Sequence, residues 1–362
     1  MTATMQRSVI GIEIGGTKLQ LAVGQGQSAE FNQFWRGPIN AEQGAESIRQ
    51  QILLAVPELL ASANLTKGDI AGLGIAFGGP VDANRGMTLL SNQVAGWEQF
   101  PIVDWVRENL GWPAALQNDA DSAALAESRF GAGRGFDPVM YVTVGSGIGG
   151  GLILGGKIFR GCGAGALEIG HLRPGQLPRH IPLSGDTVES IASGFGITER
   201  ARRTIQDYFA TAAYARSQFA ATQPKQTNLD VEFQQRLDPR LQRFAKLLEL
   251  AEGDAINITT AKVAQAAVLG DALALGLLAD ATHAIGWALA QAITLINPAR
   301  IVIGGGVSLI GEELFFGPVR RACEQFVFPP FRGLAEIVPA GLGEEVVVHG
   351  AVAVAAAEFL KD

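Results

Sequence analysis

The chain has 362 residues, 48% of them hydrophobic and 17% charged, which is enough for two packed cores and too apolar for a disordered segment. A formal net charge of −7, with no block of Lys or Arg, argues against nucleic acid or an anionic membrane as the main partner. Phosphate-bearing ligands stay open, because backbone amides and a metal ion can hold them without a basic patch.

Residues 8–24 read as two strands joined by a tight turn at Gly15-Gly16-Thr17-Lys18. The GxxxxGK[ST] spacing of a P-loop is absent, so an ordinary glycine hairpin is the plain alternative. Glu13 and the Thr17-Lys18 pair tilt the turn toward handling phosphate and metal. Residues 41–62 predict a helix, and a strand over 70–76 runs into the glycine turn Phe77-Gly78-Gly79-Pro80-Val81-Asp82. Ser91 to Trp97 follow, then a helix over 102–110 and a strand over 114–117 that ends on Asn118-Asp119. A small-residue helix begins at once. A carboxylate at the end of a strand stands where open α/β sheets present reactive groups. Asp is also a common helix N-cap, and local sequence leaves both readings of Asp119 open.

The stretch from Tyr141 to His171 is the densest in signal: an apolar strand, the turn Gly145-Ser146-Gly147, a second strand, more glycine, then Glu168-Ile169-Gly170-His171. Such a turn can make an anion-binding concavity of its amides, with Glu168 and His171 left to face an uncharged ligand. Residues 172–186 read as a Pro- and Gly-rich surface loop, and Thr187 to Gly194 open a helical region. Residues 198–251 are helix-prone, broken by a polar linker over 221–228, and a further helix starts near Thr260. The apolar segment 273–296 is interrupted by Asp280 and His283, so it reads as a buried helix and not a membrane span. A strand over 299–303 runs into Gly304-Gly305-Gly306, and a last strand over 345–348 leads into a C-terminal helix from Gly350. Alternating strands and helices indicate α/β architecture, and the halves share a strand–glycine turn–strand opening at Ile10 to Val23 and Tyr141 to Leu154. The two cysteines, Cys162 and Cys323, lack a pairing pattern, and the N-terminus lacks a signal-peptide core; a cytoplasmic location is the expectation.

Two hairpin turns and a third glycine cluster fit a nucleotide clamped between two lobes. The polar residues Asn92, Asn118, Asp119, Glu168, His171 and Glu189 can then hydrogen-bond a polyhydroxylated ligand, with one carboxylate as general base.

GIEIGGTK (Gly11 to Lys18), GIAFGGPVD (Gly74 to Asp82), Asn118 to Ala124, GSGIGGGLILGGKIFRG (Gly145 to Gly161), EIGH (Glu168 to His171), Glu189 to Gly194 and Asn297 to Gly306 together resemble the ROK sugar kinases, within the actin-like ATPase superfamily. The resemblance covers nearly the whole chain. It implies a two-lobed α/β, ribonuclease H-like fold with the active site in the interlobe cleft. Residues 1–118 plus 349–362 would form a small lobe, and 119–348 a large one with a helical insertion at about 198–296. It also implies that Asp119 takes a proton from a hexose hydroxyl as that oxygen attacks the γ-phosphate of ATP with Mg²⁺. Gly79, Asn92, Asn118, Glu168, His171 and Glu189 would hold the sugar, with glucose at its 6-position the default. Gly15 to Lys18 and Gly145 to Gly147 would cradle phosphates beside Glu13, and Gly304 to Gly306 would line the adenosine site. A homodimer is expected, with no nucleic-acid or membrane partner.

Two departures from the family pattern stand out. Glu13 replaces the usual Asp. The cysteines that follow EIGH in most members are missing from residues 172–188, and His180 cannot replace three thiolates, so no structural zinc is expected. A repressor, as found elsewhere in the family, would carry a helix-turn-helix ahead of the first glycine motif, where only about seven residues stand. A fructose, mannose, allose or N-acetylhexosamine kinase, a different phosphate donor and a catalytically weak sugar-binding regulator remain the alternatives.

Overall fold

The structure, a computed structural model, describes residues 7–91, 93–162, 165–175, 187–222 and 241–360. Strand β1 (Ser8–Ile14) is buried at every position, Glu13 included, as a central strand flanked on both sides by other strands. It pairs antiparallel with β2 (Lys18–Gly24), which pairs antiparallel with β3 (Gln33–Pro38). Helix α1 (Gly44–Ser62) buries Ile48, Ile52, Val56 and Leu59 at helical spacing against this meander. β4 (Ile70–Phe77) lies parallel to β1, and the short ribbon of β5 (Val81–Asp82) and β6 (Met87–Thr88) follows. Helix α2 (Ile102–Asn109) then leads to β7 (Ala114–Asn118), parallel to β4. The sheet order is β3-β2-β1-β4-β7.

Helix α3 (Asp119–Phe130) starts directly from β7 and crosses to a second sheet. There β8 (Val139–Val144), β9 (Ile148–Leu154) and β10 (Lys157–Ile158) repeat the antiparallel meander. Among the described residues, the helices before the next strand are α4 (Val188–Ala192), α5 (Gly194–Thr222), α6 (Ala245–Leu250), α7 (Thr260–Val268) and α8 (Ala272–Ile296). β11 (Arg300–Gly304) is parallel to β8; after a π-helical turn and α9 (Gly317–Phe326), β12 (Glu336–Pro339) is parallel to β11. The order β10-β9-β8-β11-β12 reproduces that of the first sheet, so the shared strand–turn–strand theme extends over two whole sheets. By length and composition α8 could cross a membrane, yet 72% of its apolar window is buried within the molecule.

The end of the chain departs from the sequence reading. Residues 345–348 are not a strand; helix α10 (Val346–Phe359) already begins at Val346. The Val-rich run favours strand locally, but α10 is buried on two faces, with Val348, Val352 and Ala355 on one sheet and Val346, Ala353 and Val354 toward α3. Tertiary burial at helical spacing wins. The sequence reading also missed β3, the β5–β6 ribbon and β12, which is only four residues long and ended by Pro339. Glycines let α10 lie almost backbone to backbone with its neighbours. A Cβ on Gly74 of β4 would sit 2.0 Å from the Ala351 carbonyl oxygen, and one on Gly350 2.0 Å from that of Ser122 in α3.

Candidate active site

The first glycine turn connects β1 and β2 and is closed by the Gly15 amide donating to the Lys18 carbonyl at 3.1 Å. Glu13, one residue inside β1, is 5% exposed and faces Lys18, whose Nζ is 3.5 Å from Glu13 Oε1. Burial raises the Glu13 carboxyl to about 7, opposed by Lys18 and reinforced by the charge of Asp119. Its Oε2 is buried and has no hydrogen-bond partner among the described residues. A buried carboxylate oxygen with nothing to bond is suited to a cation or to the solvation shell of one. Thr17 is exposed at the tip of the turn.

Asp119 reaches this turn from the other sheet edge. The Gly78 amide donates to the Ile14 carbonyl at 2.9 Å, and a Cβ on Gly78 would lie 3.5 Å from Gly15 Cα and 3.7 Å from Asp119 Oδ2. Glu13, Gly15, Gly78 and Asp119 thus converge where β1, β4 and β7 end. The N-cap of α3 is Asn118, not Asp119: its backbone is extended and its Oδ1 accepts from the Ala120 and Asp121 amides at 2.9 and 3.3 Å. Asp119 is therefore the first helical residue and its Oδ2 is left toward the cleft. The Asn118 Nδ2 donates to the Gly79 carbonyl at 3.0 Å, tying the two strand ends together. Burial pushes the Asp119 carboxyl up to about 6, held back by the Ala120 amide and pushed further by Glu168.

The remaining polar residues come from the second sheet. Glu168 and His171 flank a 3₁₀ turn and are exposed, with the His171 amide donating to the Glu168 carbonyl at 3.1 Å. Glu189 enters from α4 and lies against the second glycine turn, its Oε2 accepting from the Ile148 amide at 2.7 Å. A Cβ on Gly147 would stand 2.7 Å from that same oxygen. Asn92 lies outside the described residues.

The second glycine turn mirrors the first, with the Gly145 amide donating to the Gly147 carbonyl at 2.9 Å. The carbonyls of Gly145 and Ser146 accept from Gly194 and Phe195 at the start of α5, at 2.8 and 3.2 Å. Beside this turn opens a cavity of about 540 Å³, walled by Gly145, Ser146, Phe195, Thr198, Thr260 and Gly306 among others. The third glycine cluster divides its work. Gly304 is buried against the Tyr141 hydroxyl, Gly305 has φ +88° and folds back on Val144, and Gly306 reaches the cavity wall. The wall residues Phe195, Thr198 and Thr260 were missed by sequence reasoning. They lie on helices distant in sequence and carry no motif that local reading would catch.

Two half-similar sheets joined by α3 and α10, with carboxylates and glycine turns in the cleft between, define the actin-like ATPase fold. The ROK family profile matches residues 9–358, and the chain belongs to the ROK family. It is 29% identical over 348 residues to a glucokinase from Halalkalibacterium halodurans, covering 95% of this chain and 93% of that one. Among solved structures it is similar to a ROK hexokinase from Thermus thermophilus (TM-score 0.72, 26% identity, 97% of this chain and 98% of that). A ROK family glucokinase from Streptomyces griseus, solved with glucose and AMPPNP, is comparably similar (TM-score 0.68, 28% identity, 95% and 98%).

Proposed function

We propose that the chain is an ATP-dependent hexose kinase, with glucose at its 6-position the default substrate and Asp119 the general base. The observation that carries this reading is the position of Asp119. Its carboxylate faces the first glycine turn from the start of α3, with a proton affinity raised to about 6, close to what a base working near neutrality needs. In the proposed reaction the sugar hydroxyl oxygen bonds to the γ-phosphorus, the bond from that phosphorus to the β,γ-bridging oxygen breaks, and ADP leaves with the electron pair. The hydroxyl proton passes to Asp119 Oδ2.

Glu168 and His171, with Asn92, Asn118, Glu189 and the Gly79 backbone, orient the sugar. Gly15 to Lys18 and Gly145 to Gly147 hold phosphates, and the cavity at Gly306 takes the nucleoside. Mg²⁺ fits at Glu13, whose unpartnered buried oxygen is matched to a hydrated cation; when bound it neutralises charge on the phosphates. Mannose, fructose, allose and an N-acetylhexosamine are the other sugars this reading admits, so the identity of the sugar is the finer question. We place the enzyme in the cytoplasm, as a homodimer.

The test is ADP release with ATP and a panel of hexoses, followed by product analysis. Phosphorylation at the 6-position of glucose is the expected result, and Asp119→Ala should abolish transfer while sugar binding persists. Silence on every sugar, with sugar binding intact, would replace the kinase by a sugar-binding regulator.

A further inference from the structure

The loop between β6 and α2 brings a side chain to the first glycine turn that has no role in the chemistry above. Val94 and Trp97 anchor this loop in the core of the first lobe, with the Trp97 ring edge-on to Phe77 at 5.4 Å and to Phe100 at 5.5 Å. The Ser91 hydroxyl accepts from the Gln93 and Val94 amides at 3.3 and 3.1 Å, which ties Gln93 into a tight local turn. The Gln93 side chain, exposed, then lies across Gly16: a Cβ built on Gly16 would fall 1.2 Å from Gln93 Oε1 and 2.4 Å from its Cδ. Gly16 is not among the residues with positive φ, so backbone conformation does not account for its glycine. The Gln93 carboxamide fills the space a side chain at residue 16 would take, and such a side chain would have to displace it.

This contact puts a primary amide, with two N–H donors and one acceptor, at the joint between the first turn and the segment bearing Asn92. Gly78 packs beside the same turn at Gly15, and Asp119 Oδ2 lies next to Gly78. Gln93 thus lies on this turn at Gly16, while Asp119 approaches it across Gly78. A charge-neutral donor there is useful where negative charge builds up on a phosphoryl group during transfer, and it does not compete for the proton that Asp119 receives.

We propose that Gln93 contacts the phosphoryl group being transferred, donating from Nε2 to a non-bridging oxygen, and that its carboxamide closes the Gly16 side of the turn against water. This rests on the kinase reading. The bond changes are those given above: the sugar oxygen–phosphorus bond forms, the phosphorus–bridging oxygen bond breaks, and Asp119 takes the proton. Gln93 exchanges no proton.

The test compares wild type, Gln93→Ala and Gln93→Glu for kcat, for the KM of sugar and of ATP, and for sugar phosphate formed per ADP released. Direct sugar binding is measured by calorimetry. Removing one donor to a developing phosphoryl charge should lower the kcat of Gln93→Ala roughly 100-fold or more. Sugar affinity should hold, and more of the ATP should be lost to water. Gln93→Glu should be slower still, because its carboxylate repels the phosphate. Wild-type kcat and coupling in Gln93→Ala would overturn the proposal, as would a loss confined to sugar affinity. Both outcomes presuppose an active wild type, so an inactive wild type would count against the kinase reading separately.

Discussion

Burial gives Asp119 a proton affinity near pH 6, and that one property has consequences for both activity and stability. A base must be ionised, so kcat/KM should fall as pH drops through about 6; a flat profile between pH 5 and 8 would count against the assignment. The stability effect has the opposite sense. A carboxyl whose folded pKa lies above its unfolded value favours the fold when protonated, so its contribution is fullest below the unfolded pKa of about 4 and is lost as pH rises through about 6. Asp119→Asn should therefore raise Tm by about 2–4 °C at pH 8 and change little at pH 4, by calorimetry. An equal gain at both values would mean that charge is not the cause. The pair Asn118-Asp119 was legible as the junction of a strand and a helix, but not which of the two caps α3. Both can cap; the choice falls to Asn118 because strand pairing runs on to Phe77↔Asn118 and leaves that residue extended.

Helix α10 shows what a local reading misses at the scale of an element. Its valines favour strand, and only burial on two faces makes it a helix. Gly350→Ala should cost roughly 1–3 kcal/mol in chemical denaturation, because the new methyl meets the backbone of α3 at Ser122 and not a flexible side chain. His349 on the same helix stacks on Phe31 with ring centroids 4.0 Å apart, and burial lowers its pKa to about 4. A histidine held neutral in the fold contributes stability above its unfolded pKa of about 6.5, and that stability is lost as pH falls toward about 4. His349→Phe should keep the stack and flatten the loss of stability between pH 6.5 and 4, read from denaturation midpoints. An unchanged acid limb would assign that loss to other groups.

For the whole molecule, the missing cysteines after His171 make a composition prediction: the purified protein should carry no stoichiometric zinc in metal analysis, and a chelator should leave its Tm unchanged. One zinc per chain would overturn it. The sequence by itself determined the three glycine turns, the carboxylate at the end of β7 and the doubling of a strand–turn–strand theme, because each is written within a few adjacent residues. Tertiary structure alone decided the rest. Whether Val346 to Val348 form strand or helix depends on which surfaces bury them. The cavity wall draws on α5 and α7, and the contact of Gln93 with Gly16 joins residues 77 positions apart in the chain. No periodicity encodes such meetings; they exist only once both sheets have packed around α3 and α10.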